Sequence, residues 1–241
     1  FIPYAIMEIS YACMSTLFPV WDGIKEISAS VLFSKVLLDP IGPYWYLHTF
    51  ILCGTTHYFV HTYLRANPFI RLLATGSLLL LFSYVFHLLT FANAFYFMAG
   101  TAIHLSKRSF LSCFPASFLA IIPLIFLCSQ PENLNRSTLG GILITGLVIS
   151  FSLYIYKHLP HTAKQASLFI GKNTLVILLF SPVFTALSKL FLPFFSFDPT
   201  GICFLCTATA TTLYGSIFIA FCLDKARLSP FFFGKRVSLK N

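Results

Sequence analysis

Charge is scarce in this 241-residue chain: 16 Lys and Arg plus 7 Asp and Glu make up 10% of it. A soluble domain carries about 25% charged residues. So little charge cannot cover a water-facing surface when 57% of the residues are apolar and 29 are Phe. The deficit excludes a soluble globular domain, and the apolar content excludes a disordered chain. A second C-x-x-C is also missing. Cys13, Cys53, Cys113, Cys128, Cys203, Cys206 and Cys222 all lie in or beside apolar runs, and Cys203 and Cys206 form a lone pair. Zinc would need further ligands, so the pair reads as small apolar residues of a lipid-embedded helix. No segment repeats with a period of about 20–50 residues, which excludes a solenoid. No basic n-region or cleavage site opens the chain. It begins at Phe1 inside an apolar run, which reads as a sequence whose front is absent.

What is present is a series of apolar runs, each near the roughly 20 residues that cross a bilayer. Eight candidate spans follow: about 1–20, 43–64, 69–89, 91–105, 110–129, 138–156, 167–192 and 201–223. A polar-flecked stretch, 21–42, separates the first two. Pro182 should kink the seventh span. The third and fourth are joined so closely that a tight helical hairpin around Thr90 to Asn93 is expected, with one long helix as the alternative. The fold class is therefore all-α: a polytopic helical membrane protein with about eight transmembrane helices, organised as one integral-membrane domain over residues 1–241.

The net charge of +9 would suggest nucleic acid in a soluble protein. Here the basic residues sit between apolar runs, so orientation in a bilayer accounts for them and no nucleic-acid partner is expected. Twelve lie in one set of loops (Arg65, Arg71, Lys107, Arg108, Lys157, Lys164, Lys172, Lys225, Arg227, Lys235, Arg236, Lys240), and four in the other (Lys25, Lys35, Arg136, Lys189). The positive-inside rule places the larger set, and both ends of the chain, in the cytoplasm. Near that face lie His57, His61, Arg65, Arg71, His104, Lys107 and Arg108. Arg71, Lys107 and Arg108 are candidates to hold a phosphorylated donor through charge-assisted hydrogen bonds. Near the outer face lie Trp21, Asp22, Trp45, Tyr46, His48 and His87. Trp45 and Tyr46 suit stacking on a sugar ring, and His48 and His87 suit direct polar contact, because ionisable residues at membrane depth face a bundle interior or a water-filled cavity. Topology and the aromatic belt explain the same residues without a ligand. His57 and His61 share a helix face but have no third ligand, so no metal is expected.

Three stretches resemble one family. Gly42-Pro43-Tyr44-Trp45-Tyr46-Leu47 is similar to the opening of a span in the integral-membrane acyltransferase 3 family. Phe95-Tyr96-Phe97-Met98-Ala99-Gly100, followed by Lys107-Arg108, resembles its aromatic run into glycine with a basic pair at the helix end. Ile170-Gly171-Lys172-Asn173-Thr174-Leu175-Val176-Ile177 resembles its G-[KR]-N-[ST]-L motif. Phe1-Ile2-Pro3-Tyr4 looks like the start of the family's third span. Two departures stand out: the family's Tyr falls at Leu178 and its His at Ser181.

The resemblance implies about ten spans in a complete member, two of them preceding Phe1, and both ends cytoplasmic in a bacterial inner membrane. It implies a membrane O-acyltransferase that moves an acyl group, acetyl above all, from acyl-CoA to a hydroxyl of a cell-envelope sugar or polysaccharide. Acyl-CoA is then a donor substrate, and no cofactor is bound permanently. The catalytic histidine of the family lies in its first span, so no residue of this chain takes that role. A transporter or flippase for a polar or lipid-linked substrate, and an inactive remnant, are the alternatives.

Overall fold

The computed structural model describes residues 1–16 and 23–239. Trp21, Asp22 and Lys240 lie outside the described residues. Among the described residues every regular element is helical. In chain order the α-helices are α1 (Ile2–Ser15), α2 (Ala29–Leu37), α3 (Trp45–Tyr63), α4 (Pro68–Tyr84), α5 (Phe91–Leu105), α6 (Ile121–Cys128), α7 (Leu139–His158), α8 (His161–Lys172), α9 (Thr174–Ser188), α10 (Ile202–Lys225) and α11 (Ser229–Phe233). Among the described residues, three helical stretches are long and apolar enough to cross a membrane: Leu139–His158, Thr174–Phe195 and Ile202–Lys225. They correspond to the sixth, seventh and eighth expected spans. The remaining expected spans hold shorter or more polar helices.

The chain divides into two compact units, residues 1–48 with 165–241, and residues 49–164. In the first unit, α1 buries Tyr4, Met7, Glu8, Tyr11, Ala12 and Ser15. That spacing is one face of a 3.6-residue helix. The face packs on α2, α9 and α11. It also holds the polar-flecked stretch in place: the Tyr4 hydroxyl donates to Val36 O at 2.9 Å, and Ile24 N–H donates to Ser15 Oγ at 3.0 Å. α9 and α10 form the main pair of this unit. They run antiparallel, since Phe195 meets Phe204 while Gly215 lies against the ring of Phe184. A Cβ at Gly215 would collide with that ring, so the hydrogen is what admits it.

The second unit is built on the α4–α5 hairpin. Leu79, Leu89, Ala94 and Cys53 of α3 form its buried centre, with Phe82, Phe97 and Met98 against them. The turn spans 85–90, slightly before the expected position, and Thr90 caps α5 by accepting Asn93 N–H at 3.4 Å. α6 packs on α7.

Two expected spans are interrupted. The fifth breaks after a 3-10 turn (Phe110–Cys113), because Pro115 forces Phe114 into extended backbone at φ −122°, ψ 112°. The seventh breaks at Asn173, between α8 and α9, and not at Pro182. At Asn173 the last carbonyls of α8 find other donors. Asn173 Nδ2 donates to Phe169 O at 2.9 Å, and the Thr174 hydroxyl to Gly171 O at 2.9 Å. Pro182 lies inside α9, where the Ser181 hydroxyl reaches Leu178 O at 3.4 Å. That carbonyl has no proline N–H to accept.

Candidate functional site

The most unusual residue of the first unit is Glu8, a carboxyl with 0% exposure in the middle of an apolar helix. The i−4 and i+3 positions are Tyr4 and Tyr11, so the buried stripe of α1 carries three polar heads in a row. Glu8 Oε1 accepts Ile41 N–H at 2.6 Å, while Oε2 is buried without a hydrogen-bond partner. A buried polar atom left unpaired is uncommon and costly. Tyr44, also fully buried, donates its hydroxyl to Leu179 O of α9 at 2.9 Å and meets Tyr11 edge-on at 5.6 Å. Lys35 and Asp39 of the α2 end, paired at 2.5 Å, are the ion pair beside this cluster.

His48 belongs to the same unit. It is 8% exposed, and its Nε2 lies 2.9 Å from Leu37 O. A carbonyl only accepts, so Nε2 carries a proton and donates it to Leu37 O. The Tyr4 ring lies beside it, 6.3 Å between centroids. His48 is thus a buried, oriented imidazole. Trp45 is half-buried and edge-on to Tyr46, which is 48% exposed. His87 belongs to the second unit. It sits in the exposed α4–α5 turn with φ 52°, where left-handed backbone shapes the reversal.

The basic candidates all fall in the second unit. Arg71 is in the first turn of α4, and its Nε donates to Leu64 O at 3.0 Å, closing the loop from α3. Lys107 follows α5 with φ 57°, its N–H bonded to His104 O at 3.0 Å, and Arg108 is exposed beside it. Because α4 and α5 are joined through 85–90, the start of α4 and the end of α5 share the opposite end of the hairpin. Arg71, Lys107 and Arg108 therefore gather at one end of this unit. The His57 and His61 rings lie 4.1 Å apart along α3, tilted by 45°, with His57 edge-on to Phe97 of α5 at 6.0 Å. His57 Nδ1 and His61 Nε2 are buried without a partner. Among the described residues no His, Cys, Asp and Glu group could hold a metal ion.

Glu8 is absent from the residues that sequence reasoning selects. The signal was present as a single carboxylate inside an apolar run, flanked by tyrosines at helical spacing. No protein-family model, curated protein or solved structure matches the chain.

Proposed function

We propose that the chain is a membrane O-acyltransferase that transfers an acyl group, most simply acetyl, from acyl-CoA to a hydroxyl of an envelope sugar or polysaccharide. The observation that carries this reading is the order of the motif stretches that resemble acyltransferase 3, supported by how two of them fold. Lys107-Arg108 closes α5 at the same hairpin end as Arg71, where three cations can meet a donor's phosphates. Gly171-Lys172-Asn173 marks a helix break with Asn173 only 2% exposed. In this reading the chain crosses the membrane eight times with both ends cytoplasmic. The shorter helices then complete the set that the three long apolar ones begin. Trp45, Tyr46 and His48 of the first unit contact the acceptor, and Arg71, Lys107 and Arg108 of the second unit the donor. A bacterial inner membrane fits the acceptor chemistry.

The direct test is Lys107→Ala with Arg108→Ala, assayed in membranes containing the protein. Loss of paired cations should raise the donor KM about tenfold or more and leave the acceptor KM unchanged. An unchanged donor KM would restrict the pair to membrane orientation.

A second reading rests on a different observation. Helix interruptions at Asn173 and at Phe114, together with the buried carboxyl of Glu8, are the kind of broken helix and intramembrane ionisable group that transporters use. Movement of a polar solute or lipid-linked sugar across proteoliposomes, in the absence of any acyl donor, would favour it.

A further inference from the structure

The first unit holds a cavity of about 610 Å³ between the starts of α1 and α9 and the α11 segment that follows α10. Its wall includes Pro3, Lys172, Val176, Phe231, Lys235 and Ser238. Two features make it a built site. The first is its chemistry: its apolar walls carry two lysines, Lys172 and Lys235. The second is the clasp that holds its outer wall. Asp224, at the end of α10, accepts from the Ser229 hydroxyl, from Ser238 N–H at 2.8 Å and Oγ at 2.9 Å, and from Leu239 N–H at 3.2 Å. One carboxylate thereby ties α11 and the following tail back onto α10. Gly234, at φ 65°, makes the left-handed turn that ends α11 and returns the chain toward the clasp. Lys235 follows directly and lines the cavity.

The position selects the ligand. α9 and α10 belong to two of the three stretches long and apolar enough to cross a membrane. As an antiparallel pair, they both leave the apolar region at the cavity. Lys225, Arg227 and Arg236 are close to it in sequence and add to the same positive end. Basic pockets at such an end suit anionic lipid headgroups, with acyl chains along the apolar wall. We propose that this cavity is a binding site for one anionic phospholipid, whose phosphate lies between Lys172 and Lys235, and that Asp224 is the positioning residue that keeps Lys235 there. The proposal needs only the α9–α10 pair to lie in a bilayer. It is independent of the acyltransferase reading.

The test is lipid retention by the full chain in mixed micelles of phosphatidylglycerol and phosphatidylcholine, counted by native mass spectrometry. One phosphatidylglycerol should be held about tenfold more strongly than phosphatidylcholine. Lys172→Gln with Lys235→Gln should reduce that preference to about twofold or less, while the Lys→Arg pair keeps it. Lys235→Gln alone, at an exposed tail residue, and Asp224→Asn, which leaves both lysines in place, should each weaken it several-fold. These two keep the test decisive if the double Gln variant does not fold. Equal retention of the two lipids would overturn the proposal. So would a preference indifferent to the Gln variants. Coenzyme A binding that depends on the two lysines, with no preference between the lipids, would overturn it in favour of a soluble phosphate ligand.

Discussion

Glu8 combines two roles in one side chain. One oxygen accepts the Ile41 amide, and the other lies buried and unpaired. Glu8→Gln retains an acceptor for Ile41 N–H and should leave thermal unfolding in detergent close to the parent's. Glu8→Leu strands that amide, at a cost of about 1–3 kcal/mol, and should lower the midpoint measurably. A Leu variant as stable as the Gln variant would mean that the Ile41 bond contributes nothing net. The candidate residues were readable as residue types and less so as positions in the fold. The cations at Arg71, Lys107 and Arg108 were visible because loops between apolar runs are easy to find, and the hairpin then places them together. Glu8 and the buried setting of His48 were harder to find. Whether a polar group is buried depends on partners such as Ile41 and Leu37, which a periodicity read one helix at a time does not supply.

Helix boundaries followed local chemistry where that chemistry was strong. Phe91–Leu105 forms over the expected residues because Thr90 caps it and nothing inside it breaks the helix. The interruptions at Phe114 and Asn173 escaped an apolar-run reading because hydropathy does not register backbone demands. Pro115 acts on its neighbour, and Asn173 offers its own amide to a carbonyl. The start of α10 shows local chemistry of another kind. Asp198 accepts Cys203 N–H at 2.7 Å, Thr200 N–H at 3.0 Å and the Thr200 hydroxyl at 2.5 Å. These bonds, the Thr200 hydroxyl first, hold its carboxyl below the ordinary carboxylate value. The ionised form is the one that caps. Its contribution is therefore complete above about pH 4 and fades as the pH falls further through the lowered folded value. Exchange protection of the Cys203 amide should drop over that acid range in the parent and stay flat in Asp198→Asn, which cannot titrate. A parent as flat as the variant would show that the titration does not reach the helix.

At the scale of the whole chain, the asymmetry of twelve basic residues against four makes a topological prediction. In a cysteine-free background, single cysteines at Lys107, Lys164 and Lys235 should react from the cytoplasmic side, and those at Glu26 and Asn133 from outside. Cytoplasmic labelling of Asn133→Cys alone would reject the eight-span arrangement. The long helices set a further condition on the chain. Only 6% of the most apolar window of α10 and 11% of that of α7 are buried. Where lipid instead of protein covers a helix, any apolar side chain of any shape serves. Such faces are free to exchange Leu, Ile, Phe and Val over generations, so descent preserves their oiliness and erases their spelling. Gly215 is the opposite case. It can enlarge only if the Phe184 ring shifts or shrinks, which ties the two positions together.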